Sequence, residues 1–196
     1  MFIDYLTIML LNLVAGLFLL ALFVFRYFEK DQRVMAPGFL ITGFIGTVTG
    51  FHMIFTWPLP GSNNIAFGEM ELLFGVLFLA AGIAVLKDWD LLTITIYAVF
   101  AGAAAIVIGL ALLNYNMTKS PLLAAAGYVG AGVGAVLTLP VYLMKQNKVL
   151  RVIVALILLA AALVWALTTY ASYWEHLHAF SKWAPATMPP APPAAK

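Results

Sequence analysis

Six stretches of about twenty apolar residues, over 6–25, 38–57, 67–86, 91–112, 122–144 and 152–171, decide what this chain can become. Each is long enough to cross a hydrocarbon core of about 30 Å as a helix. Backbone groups in lipid must bond within their own segment, and the alternating pattern of a membrane barrel is absent, so the spans read as helices. Composition agrees: 64% of the 196 residues are hydrophobic and 9% are charged, too few charges to cover a water-facing surface. The expected fold is all-α, a polytopic six-transmembrane-helix bundle over residues 1–183, whose first partner is the lipid bilayer. The first stretch opens "MFIDYL", with an acid and no basic leader, and reads as a span rather than a signal peptide.

The loops after spans one, three and five carry Arg26, Lys30, Arg33, Lys87, Lys145, Lys148 and Arg151, whereas Lys119, Lys182 and Lys196 fall on the other side. Lys and Arg accumulate on the cytoplasmic side, which predicts that both termini are extracytoplasmic. The tail 184–196, "APATMPPAPPAAK", is rich in Pro and Ala and is expected to be disordered. With no cysteine, disulfides, thiolate nucleophiles and Cys-based metal sites are excluded. The net charge of +2 comes from basic residues set in short loops beside spans, which offers nucleic acid no surface.

Against this background the run "GFHMIFTWPLPGSNNIAFGEME", residues 50–71, stands out. His52 lies about 7 Å inward from the interfacial Trp57, at 1.5 Å per residue. An ionisable group at that depth is a functional candidate facing the bundle interior. Thr49 and Thr56 share its helix face, so that face is expected to turn inward. "PLPG" ends the helix, and Ser62, Asn63 or Asn64 could cap the next one. Glu69 then comes level with His52, while Glu71 points about 200° away from Glu69, so Glu69 is the expected partner. In "SYWEHLHAF", residues 172–180, His176 and His178 share a face only if the sixth helix has ended; if it continues, Glu175 and His178 share one instead.

All three histidines, with Asp4, Glu69, Glu71 and Glu175, thus fall on the extracytoplasmic side. His52, Glu69, His176, His178 and Asp4 compose a sensible ligand set for one transition metal ion, zinc, copper or iron. Such an ion would activate water on a lipid-like substrate near the outer interface, with Glu71 or Glu175 as general base. One haem b held by two histidines, in a redox subunit, is an alternative. A non-catalytic assembly subunit or a transporter is another, although spans four to six offer few polar stations. Serine nucleophile elbows, P-loops, dinucleotide fingerprints and H-E-x-x-H are absent, so the sequence assigns no enzyme class. Gly46 and Gly50, Gly130 and Gly134, and the sevenfold series Gly68, Gly75 and Gly82 suit close helix packing, within the chain or in a homo-oligomer.

The runs "GFHMIFTWPLPGSNNIAFGE" and "MFIDYLTIMLLN" resemble a family of small bacterial and archaeal integral membrane proteins, domain of unknown function 981, over all six spans. The resemblance implies a multi-pass protein of a prokaryotic cell (inner) membrane. It implies no activity and no catalytic residue.

Overall fold

Hydrocarbon leaves a backbone only its own partners, and every regular element in the computed structural model, which describes residues 5–28 and 31–184, is helical. The elements are α1 (Leu6–Leu22), α2 (Ala36–Thr56), α3 (Met70–Lys87), α4 (Leu92–Asn114), α5 (Pro121–Leu143) and α6 (Lys148–Ala179). A π-helical turn, Phe23–Tyr27, extends α1, and another, Ile65–Glu69, leads into α3. A 3₁₀ turn, Gln32–Met35, leads into α2. The six resulting spans, each long and apolar enough to cross a membrane, coincide with the six stretches read from the sequence. One boundary moves: α6 runs on to Ala179, because 152–179 holds no Gly or Pro and polar residues alone do not stop a helix.

Helices that find no hydrophobic drive toward each other in lipid associate where small residues let backbones approach. α2 packs antiparallel on α3 through such a seam. A Cβ on Gly43 would lie 2.2 Å from the Leu79 amide nitrogen, one on Gly50 2.5 Å from that of Leu72, and one on Gly75 2.4 Å from that of Thr47. α4 and α5 repeat the device at Gly102 and Gly132, while Gly130 and Gly134 meet α6 at Ala161 and Leu158. The glycine pairs of the sequence are therefore spent on contacts within the chain. α6 also packs on α1, closing one wall of the bundle; α3 with α4, and α1 with α2, though consecutive, touch far less than the other neighbours.

Short connections make the spans alternate in direction. The α1–α2, α3–α4 and α5–α6 loops gather at one end, the basic end, and the α2–α3 and α4–α5 loops at the other, the terminal end. At the terminal end, Trp57 takes the left-handed conformation (φ 47°) and Gly61 follows with φ 59°. The loop between them is held by Asn64, fully buried, which accepts from the Leu59 amide at 2.9 Å and donates to the Gly61 carbonyl at 3.2 Å. The expected cap residues are thus used otherwise: no side chain caps the helix after Asn64, and Asn64 ties the turn instead.

Candidate functional site

The residues expected to form a metal shell are placed as follows. Asp4 lies outside the described residues. His52 is exposed, with Nδ1 3.1 Å from the Tyr5 hydroxyl and 3.4 Å from Thr56 Oγ1. The expectation that its face turns inward is corrected: the α3-facing side of α2 belongs to Gly43, Gly46 and Gly50, and His52 stands about 200° around the helix from Gly50. Burial raises the Tyr5 phenol above its ordinary range, with Thr56 pulling the other way. Tyr5 is therefore neutral near pH 7 and able to donate to His52.

Glu69, on the π-helical turn, is exposed. Because α6 continues, His176 and His178 point to different faces; His176 packs edge-on against Phe180, and Glu175 lies 3.8 Å from Lys119. Among the described residues no three His, Asp or Glu side chains come together in a group that could hold a metal.

Among the described residues, the carboxylate that the fold does bury is Glu71, 7% exposed. It shares a helical face with Gly68 and Gly75, at i−3 and i+4, and that face meets α2. The glycine series is the sequence signal that locates it. Asn12 of α1, 8% exposed, donates to the Thr42 carbonyl of α2 at 3.0 Å and to Glu71 Oε1 at 3.3 Å. One amide therefore ties three helices. Gly46 leaves the room: a Cβ there would stand 3.2 Å from Glu71 Oε1. Beside Glu71 is a cavity of about 20 Å³, also lined by Tyr128 and Trp165, large enough for one water. Tyr128 donates to the Ala66 carbonyl at 2.8 Å, and the buried Trp165 indole nitrogen has no partner.

Arg151, read from the sequence as a loop anchor, is buried at the basic end. Its guanidinium donates to the carbonyls of Val24 at 2.8 Å and Phe25 at 2.9 Å. These belong to the π-helical turn, whose shifted bonding invites side-chain donors, as Ala66 does on the other π turn.

The interior continues toward the basic end as an apolar chamber of about 90 Å³ between α1, α3, α4 and α5, bounded by Leu17, Phe78, Ala98, Ala135 and Thr138. It shares Leu13, Phe74 and Ala131 with the cavity beside Glu71. At its other end it shares Phe28 and Leu91 with a polar cleft of about 230 Å³. Asp90, Tyr142 and Lys145 line that cleft. Tyr142 donates to Asp90 Oδ2 at 2.6 Å, the Leu92 amide donates to Oδ1 at 2.7 Å, and Lys145 Nζ lies 4.3 Å above the Tyr142 ring. The Tyr142 hydrogen bond, then the Leu92 amide and the Lys145 charge, hold the Asp90 carboxyl below its ordinary range, against some desolvation. It is ionised at neutral pH. Asp88 on the cleft wall pairs with Arg33. Neither chamber nor cleft was legible in the sequence, since their walls come from helices far apart in the chain.

The family described as "Protein of unknown function (DUF981)" matches residues 1–179. No curated protein and no solved structure matches the chain.

Proposed function

Because the chain belongs to the DUF981 family, which is described as of unknown function, we propose its role from geometry alone: it binds a lipid-like amphiphile with part of an acyl chain inside the bundle. The observation that carries this reading is that Phe28 and Leu91 line both an apolar chamber and a polar cleft at one end of the spans, so that the two lie side by side. Pockets that are mostly apolar, with a few convergent polar groups, are where small ligands bind. The chamber is smaller than the roughly 150 Å³ cavity that holds a benzene ring, so it accepts a few methylenes rather than a whole chain. The sparse α3–α4 contact gives the rest of the chain a way to the bilayer. The Lys and Arg bias supports a cytoplasmic orientation for the cleft.

Ala98, on the chamber wall, supplies the test. In nanodiscs containing lipids brominated near the headgroup, the Trp89 contribution to fluorescence, isolated by difference with Trp89→Phe, is expected to be strongly quenched. Filling the chamber with Ala98→Phe is expected to weaken that quenching while the thermal midpoint stays within a few degrees. Equal quenching in both proteins would remove the reading.

A second reading places a metal ion at the terminal end, as the histidine pattern suggests. It is favoured by the contact of His52 with Tyr5, which follows Asp4 in sequence. Elemental analysis of purified protein beside His52→Ala tests it: about one zinc, copper or iron per chain, lost in the variant, is the expected result. Metal-free protein after reconstitution would end it.

A further inference from the structure

We propose that the basic-end cleft selects a zwitterionic headgroup carrying a phosphate and a primary ammonium, the ammonium on Asp90 and the phosphate on Lys145. The inference rests on the chain-binding reading above and names the lipid class.

Tyr142 organises the two poles. Its hydroxyl fixes Asp90 at 2.6 Å, and its ring face carries the Lys145 ammonium at 4.3 Å. One carboxylate and one ammonium therefore flank a single phenol in the cleft. The Leu92 amide holds the other Asp90 oxygen at 2.7 Å, so the carboxylate is set in orientation before any ligand arrives. Asp88 is paired with Arg33, which among the described residues leaves Asp90 and Lys145 as the opposite charges facing the cleft. Trp89, exposed in the same cleft, stands where aromatic side chains sit among headgroups.

Complementarity then separates lipid classes. An anionic glycerol headgroup meets Lys145 with its phosphate but offers Asp90 only neutral hydroxyls, which leaves the carboxylate without an opposite charge and the lipid with a net negative one. Specificity of this kind comes from the unfavourable pairing as much as from the favourable one. A choline headgroup matches in charge but has no N–H to donate to a carboxylate. A primary ammonium donates and matches, and its bonds to a carboxylate are of the stronger, charge-assisted kind. For the chain below the headgroup to reach the apolar chamber it has to pass Phe28 and Leu91, which line both.

The full chain, in micelles with equimolar phosphatidylethanolamine, phosphatidylglycerol and phosphatidylcholine, is examined by native mass spectrometry for retained lipid. The expected result is retention of phosphatidylethanolamine over phosphatidylglycerol by about fivefold, the scale of one partly exposed charge pair, with phosphatidylcholine between them. Asp90→Asn, which keeps the shape and an acceptor for Tyr142, is expected to abolish that preference while lipid stays bound. Lys145→Gln is expected to weaken retention of all three. Lipid retained with no preference, or a preference that Asp90→Asn leaves intact, overturns the headgroup assignment alone. Absence of retained lipid in the wild-type protein, with Ala98→Phe indistinguishable from it, overturns the chain-binding reading as well.

Discussion

Alanine at Gly75 is expected to cost the protein about 3 kcal/mol or more, read as a shift in the midpoint of denaturant unfolding in detergent. Helix propensity points the other way, since Ala is better than Gly within a helix by about 1 kcal/mol. The seam decides. The new Cβ would stand 2.4 Å from the Thr47 amide nitrogen and 2.5 Å from the Gly46 carbonyl carbon, both backbone atoms of α2 that no rotamer can move aside. α2 and α3 would have to separate, and with them the contacts at Gly43 and Gly50 that lie along the same line. Gly130→Ala provides the comparison. Its Cβ meets Ala161 Cβ at 3.0 Å, a side-chain contact that a small helix shift relieves, so a change within about 1 kcal/mol is expected. Equal midpoints for the two variants would contradict the seam.

Removing the Asn12 amide is expected to be the more informative loss. Asn12→Leu leaves the buried Glu71 carboxyl and the Thr42 carbonyl without the amide that serves both, at a cost of about 2 kcal/mol. Pairing it with Glu71→Leu is expected to recover much of that loss, because two apolar groups in contact need no partner where a single orphaned polar group does. Glu71→Gln in the wild-type background is expected to be milder than Glu71→Leu, since its amide oxygen still accepts from Asn12. The measurement is a double-mutant cycle in the same detergent. Additive effects, with no recovery in the double variant, would show that the two side chains act independently, against the geometry that joins them.

How much of this was readable before the fold was known differs from residue to residue. The six spans were legible because a helix is the solution available to a single apolar segment in lipid, and that solution is local. Glu71 was half legible. Its place on the Gly68–Gly75 face follows from helical phase, but the preference for Glu69 assumed that the hairpin continued as regular helix, and the π-helical turn at Ile65–Glu69 changes that phase. His52 was assigned inward on the strength of its two threonines. The fold gave the inward side of α2 to glycines, because in lipid close backbone approach outweighs a polar face that can meet headgroups instead. The α6 histidines were left open between two geometries, and the helix, uninterrupted to Ala179, chose the one in which Glu175 and His178 share a face.

The sequence by itself determined the apolar surroundings, the element type and the number of spans, with the end of the sixth eight residues short, since hydropathy and backbone satisfaction act over one segment at a time. The tertiary structure alone decided which polar groups meet. Asn12 reaches Glu71 across 59 residues, Arg151 reaches the end of α1 across 127, and Tyr142 meets Asp90 across 52. Such pairings depend on which helix faces turn toward one another, and glycine seams set those faces through sub-ångström packing that no single span contains.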